Sequence, residues 1–386
     1  MLIHDFDEVV NRRGTECKKY DTFPPDVLPM WIADTDFKCP QPIVDAMVHR
    51  AQQGIYGYPI NTRKFNQAVV AWEKKRFGWE VDEDWVEFTP AVMPAVVYAI
   101  QMFTQAGDHI VIQMPVYPPI HRAVVNNGRV ISNNQLCLRD GQYEVDFHDL
   151  EKRLAHPRAK MMILCHPHNP VGKAFTRDEL QRIGELCAKH HVLLVSDEIH
   201  QDIVYNGHRH FPFASLSDLH RDNSIICINP SKTFNIAGVR TGAVIIPNKA
   251  IREVYYESIV NNKAYGRTVF GTLPFETAYN ECDYYADQLM RYLQGNMTYV
   301  KQYFSDHIPQ IKVIDPQATY LIWLDCRALG LPQKELNKLM LERAKVALND
   351  GDSFGSGGTG FLRLNIACPR ATLKQGLDRI RMAVNP

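Results

Sequence analysis

Residues 224–238 read SIICINPSKTFNIAG. The run Ser224–Asn229 carries no alternation of apolar and polar positions, which suits a strand covered on both faces. Pro230 and Ser231 break it, and Lys232 follows just past its carboxyl end. The same grammar recurs on either side. His109–Gln113 (HIVIQ), Lys160–Cys165 (KMMILC), Val192–Ser196 (VLLVS) and Thr241–Ile246 (TGAVII) are short apolar runs bounded by breakers, and Val130–Asn133 reads as a further strand. Helix-like segments lie between them. Tyr117–Asn127 ends at Gly128, and Thr176–His190 opens with Thr176 and Glu179 spaced as a capping box. Apolar strands alternating with helices predict an α/β fold with a mainly parallel central sheet flanked by helices.

Farther along, the texture changes. Asp283–His307 has few breakers and predicts one long helix. Lys312–Ile314, Thr319–Asp325 and Phe361–Ile366 read as strands, and Gln333–Ala344 and Thr372–Ala383 as helices. This predicts a smaller α/β C-terminal domain over residues 284–386, after a large domain over 45–283. The Pro-rich opening, residues 1–44, is expected to wrap against the small domain. The glycine-rich stretch 351–360 (GDSFGSGGTG) does not open a helix and is expected to be a mobile loop.

Bulk properties exclude several classes. The chain has 386 residues, 45% of them hydrophobic, enough for substantial cores. Lys+Arg and Asp+Glu are equal at 43 each, so no net field recruits nucleic acid or an anionic membrane. No apolar run is long enough to span a bilayer, and the first residues lack the apolar core of a signal peptide. Nine scattered cysteines without a CxxC pair suit thiols of a reducing compartment. A cytoplasmic location is therefore expected.

In parallel α/β sheets, ligands bind beyond the carboxyl ends of the strands. The residues just past these runs form a chemically coherent set. Tyr117 comes after HIVIQ, Asn169 after KMMILC, Asp197 and His200 after VLLVS, and Ser231, Lys232 and Arg240 after SIICIN. A lysine condenses with an aldehyde, and a carboxylate keeps a pyridine nitrogen protonated. An arginine offers a fork of donors to a phosphate, a tyrosine ring stacks on the pyridine, and an amide donates to its phenolic oxygen. This is the equipment of a pyridoxal 5'-phosphate (PLP) site. Alone, Lys232 would read as a surface lysine, Asp197 as a helix cap, His200 as a structural histidine and Arg240 as an ion-pair partner; the ordered set reverses that reading. His166 and His168 flank Pro167 with no Cys or Glu to complete a ligand set, so no metal site is expected.

At these residues the chain resembles the fold-type I PLP enzymes of the aminotransferase class I/II superfamily, and within them the cystathionine β-lyase (C–S lyase) branch. The resemblance rests on Met30–Phe37 (MWIADTDF), Tyr56-Gly57-Tyr58, Cys165–Gly172, Ser196–His200 and Ser231–Gly238. It implies Lys232 as the Schiff-base lysine, Asp197 at the ring nitrogen, Asn169 and His200 near the phenolic oxygen, and Tyr117 stacked on the ring. It further implies Arg240, Asn229, Ser231 and the backbone of Val92 and Met93 around the phosphate, with Tyr58 reaching the phosphate of a neighbouring subunit. Arg363 would grip the substrate carboxylate, with Ala33 and Tyr58 beside the substrate. Ala91 stands where relatives carry Gly, Asn229 where many carry Ser, and Thr35 where Met is usual, a change expected to alter the substrate pocket. A homodimer acting on a cysteine thioether is implied. The same chemistry serves β-elimination or transamination, and a regulatory binding role on the lyase fold is a third reading.

Overall fold

The computed structural model describes residues 3–60, 63–261 and 266–385. Among them, seven strands make the large sheet: β1 (Val86–Thr89), β2 (His109–Ile112), β3 (Val130–Asn133), β4 (Ala159–Cys165), β5 (Leu193–Asp197), β6 (Ser224–Ile228) and β7 (Gly242–Ile245). Their order is β1-β7-β6-β5-β4-β2-β3. The five strands from β6 to β3 run parallel, whereas β7 is antiparallel to both β6 and β1.

The continuous apolar runs have a direct cause. Met161, Ile163 and Cys165 of β4 enter one core, while Met162 and Leu164 enter the core on the opposite face. Each face therefore needs apolar residues, and alternation disappears. One face is covered by helix α2 (Val92–Phe103), through Val92, Ala95, Val96, Ala99 and Ile100. The other is covered by α1 (Arg63–Phe77), through Phe65, Ala68, Val69 and Trp72, and by α3 (Arg177–Lys189). The capping box at Thr176 and Glu179 forms as the spacing predicts.

The predicted long helix, α4, spans Asp283–His307. Beyond it, an antiparallel sheet is built from β8 (Lys312–Val313), β9 (Leu321–Asp325), β10 (Asn349–Asp350) and β11 (Phe361–Asn365), in the order β8-β9-β11-β10. The helix expected over 333–344 is α-helical only to Lys338 and continues as a π-helical turn, Leu339–Arg343. The N-terminal segment is stitched to this part of the chain. Leu28 and Pro29 pair in parallel with Val346 and Ala347, and Asn365 N–H donates to the Met30 carbonyl. A helix, Gln41–Gln52, runs through the boundary expected after residue 44.

The glycine-rich stretch 351–360 is packed tightly where a mobile loop is expected. A Cβ on Gly351 would lie 2.1 Å from the Gly358 carbonyl oxygen, and one on Gly358 would lie 1.9 Å from that of Gly351. Only glycine allows that approach. Phe354 between them is buried, and its carbonyl accepts the Val116 N–H at 2.9 Å.

Candidate active site

The strand ends of the large sheet line a cavity of about 310 Å³. Tyr117, Asn169, Asp197, His200, Asn229, Ser231, Lys232 and Arg240 line it, together with Val92, Met93 and Ala33. Residues picked out along the sequence thus surround one space. Cys165, Ile199, Ala237 and the turn residues Pro90, Ala91 and Pro94 complete the wall.

Asp197 closes β5 and is buried; one carboxylate oxygen accepts the Ile199 N–H at 3.2 Å. Burial raises its pKa to about 6, opposed by that hydrogen bond and by Lys232. Lys232 lies in the single helical turn Ser231–Phe234, and its Nζ donates to the Ala33 carbonyl at 2.6 Å. Burial lowers its pKa to about 8, which leaves about a tenth of the amine neutral at pH 7. Burial also holds His200 uncharged, well below the ordinary imidazole value, and raises the Tyr117 phenol.

Arg363, on β11, is buried and reaches the site through Asn169. Its Nη1 donates to Asn169 Oδ1 at 2.8 Å, and its Nη2 donates to the Trp31 carbonyl at 2.9 Å and to Asn349 Oδ1 at 2.6 Å. Burial lowers its pKa to about 10. Tyr320 completes this side, its hydroxyl donating to the same Ala33 carbonyl at 3.1 Å. Neither Asn349 nor Tyr320 carries a sequence signal; both sit among ordinary strand residues.

Each departure from the family pattern has its own structural setting. Ala91 caps α2 with φ −175° and ψ 168°, an extended backbone that alanine adopts freely. Asn229 is occupied in shaping the turn: its Oδ1 accepts the Ser231 N–H at 2.8 Å and its Nδ2 donates to the Thr241 carbonyl. Thr35 is fully buried and does not itself line the cavity. Tyr58 does not line the cavity of its own chain and is fully exposed, and the neighbouring Ile55 and Ile60 are largely exposed. His166 and His168 are turned to separate partners, the Phe211 and Gln113 carbonyls.

The sheet order, the cavity at the strand ends and the lysine turn define the fold of the fold-type I PLP-dependent enzymes. The chain belongs to the aminotransferase class I and II family, whose sequence pattern matches residues 26–380. It is 43% identical to cystathionine beta-lyase PatB of Bacillus subtilis over 99% of this chain and 100% of that protein. It is 32% identical to protein MalY of Escherichia coli over 98% of both chains. In three dimensions it matches cystalysin from Treponema denticola, a structure that contains a pyridoxal 5'-phosphate cofactor, with a TM-score of 0.96 and 34% identity over 99% of each chain.

Proposed function

We propose that this protein is a PLP-dependent carbon–sulfur β-lyase that releases a thiol, pyruvate and ammonia from L-cystathionine or a related cysteine thioether. Full-length likeness to a cystathionine β-lyase, with the lysine, aspartate and arginine gathered in one cavity, carries the reading.

The cavity fits the cofactor. The Arg240 guanidinium lines it without a protein hydrogen-bond or ion-pair partner among the described residues, so a cation stands ready for an anionic group. The start of α2, at Val92 and Met93, adds backbone N–H groups on the same wall. Ser231 and Arg240 with this turn would hold the phosphate, Asp197 would face the ring nitrogen, and Tyr117 would cover the ring. Asn169 presents its amide N–H groups and His200 an Nδ1 without a partner among the described residues. PLP supplies an aldehyde for amine condensation and a protonated ring that accepts the electron pair left at the substrate α-carbon.

The chain's own groups do the rest. Arg363, aimed by Asn169, Asn349 and Trp31, binds the substrate carboxylate and so fixes which bond at the α-carbon faces Lys232. Neutral Lys232 Nζ removes the α-proton. Ionised Asp197 holds a proton at the ring nitrogen. The C–S bond at the β-carbon then breaks with its electron pair leaving on sulfur, and the thiolate takes up a proton. One water is consumed overall as the remaining three-carbon unit becomes pyruvate and ammonium. A homodimer belongs to this reading: the exposed Ile55–Ile60 segment packs on a second copy and Tyr58 reaches the partner's phosphate site. Nine cysteines without a disulfide suit a cytoplasmic enzyme.

The test is pyruvate release from L-cystathionine by the purified protein, with borohydride reduction and peptide mass analysis to locate the pyridoxyl group. Expected are continuous pyruvate formation and modification of Lys232. Stoichiometric amino transfer to a 2-oxoacid without pyruvate would make the protein an aminotransferase instead.

A further inference from the structure

The lysine turn cannot hold itself. Ser231–Phe234 is a four-residue helix, opened by the hydrogen bond from the Phe234 N–H to the Pro230 carbonyl at 2.9 Å. An isolated turn of that length is unstable, so its orientation must come from outside. Asn229 supplies one tether at the front, through the Ser231 N–H. Asn235, which ends the turn, is tied to the Thr35 and Phe37 carbonyls, and a further tether lies behind the site. Thr233, the residue after Lys232, donates its hydroxyl to Asp202 Oδ2 at 2.9 Å.

Asp202 is an expensive way to make one hydrogen bond. It is only 8% exposed, and burying a carboxylate costs several kcal/mol unless it is well partnered. Partners are provided from α1. Trp72 Nε1 donates to Asp202 Oδ1 at 3.1 Å, and Arg76 Nε stands 3.9 Å from the same oxygen. Arg76 also pairs with Asp287 of α4. Asp202 lies five residues beyond Asp197, so one loop faces the cavity at its start and grips the back of the lysine turn at its end.

We propose that Asp202 is a positioning residue for Lys232, fixing the lysine turn through the Thr233 hydroxyl with Arg76 as its counter-ion. The proposal rests on Lys232 being the reactive lysine. It assigns Asp202 no contact with substrate; its effect is on where the Lys232 amine stands relative to the α-proton, a position in which an error of about 1 Å costs up to about a hundredfold in rate.

The test compares holoenzymes of wild type, Thr233→Val and Thr233→Ser. Measured are kcat and KM for pyruvate release from L-cystathionine, the visible circular dichroism of the bound cofactor, and thermal melting. Valine keeps the shape and removes the hydroxyl; serine restores it. Thr233→Val is expected to lower kcat roughly ten- to a hundredfold with KM within about twofold, and to change the visible dichroism. Thr233→Ser is expected to stay near wild type in both. Wild-type kcat and dichroism in Thr233→Val, or equal loss in both variants, would overturn the proposal. So would a loss confined to melting temperature. Peptide mapping of borohydride-reduced wild type separates the two levels: label on another lysine removes the premise, whereas label on Lys232 with a silent Thr233→Val removes only the positioning role.

Discussion

The large sheet and the N-terminal segment reach the same cavity with different parts of the chain. From the sheet come side chains, Asp197 at the end of β5 and Lys232 just past β6, each aimed by a buried strand ladder. From the N-terminal segment come carbonyls. Ala33 accepts from Lys232, Trp31 accepts from Arg363, and Ile32 and Asp34 accept from Asn365 Nδ2 at 2.6 and 2.7 Å. The segment's strand pairing is only two residues long, and ion pairs within the segment brace it. Lys19 and Arg12 both pair with Asp34 and Asp36. Chemistry thus sits on the sheet, and backbone recognition on a segment braced by its own ion pairs.

The largest effect is expected where the sheet's contribution is broken. Asp197→Asn keeps the shape and removes the charge that holds a proton on the ring, and kcat should fall by about 10³-fold. The same group sets a pH limit in the wild type. Asp197 works ionised, and its pKa is raised to about 6, so activity is present above that value and lost as pH falls through it. A protonated ring bound opposite would pull the carboxyl down, so the acid limb of kcat should centre at or below about pH 6. An acid limb centred more than about one unit higher, or an Asp197→Asn enzyme within about tenfold of wild type, would contradict the assignment.

Arg363 joins the two regions, and its replacement should be felt next. Lysine keeps the charge but cannot donate at once to Asn169, Asn349 and Trp31 and still present a fork to a carboxylate. Arg363→Lys is expected to raise KM about 10- to 100-fold with a smaller change in kcat. Steady-state kinetics on L-cystathionine decide it; an unchanged KM would place carboxylate binding elsewhere.

The same contrast explains how much is legible in the sequence. Strand-end side chains have identities that sequence displays, so Tyr117, Asn169, Asp197 and Lys232 are readable, as is Asp283–His307 from its lack of breakers. A carbonyl has no such identity, and nothing in Trp31 or Ala33 announces an acceptor. β1 escapes because VEFT is short and carries Glu87. The run at 241–246 shows a buried strand but not its antiparallel direction, since burial on two faces looks the same either way. Asp202 reads as an ordinary loop acid, because its partners Trp72 and Arg76 lie more than a hundred residues earlier.

A smaller effect is expected where the ion pairs inside the segment are loosened. The Lys19 side chain is 1% exposed and lies 2.9 Å from Asp36. Lys19→Met removes one of two cations from a buried carboxylate, and because Arg12 remains, the loss should be at most about 3 kcal/mol. Urea unfolding gives the stability, and the prediction includes a rise in KM, since the Trp31 and Ala33 carbonyls move with the segment. Unchanged stability would mean that the segment's hydrogen bonds and strand pairing to the rest of the chain secure it without Lys19.

The smallest effect tests backbone recognition on the sheet side. If the turn before α2 binds phosphate through N–H groups alone, its side chains matter only through the conformation they permit. Ala91 already sits at φ −175°, where glycine's freedom brings nothing. Ala91→Gly should therefore cost up to about 1 kcal/mol through the greater entropy of the unfolded chain, and leave PLP affinity within about twofold. Melting temperature and cofactor titration measure the two. A glycine variant that binds PLP about tenfold more tightly would show that the alanine strains the turn. Backbone recognition would then depend on side-chain identity at this edge of the sheet, which the extended geometry of Ala91 argues against.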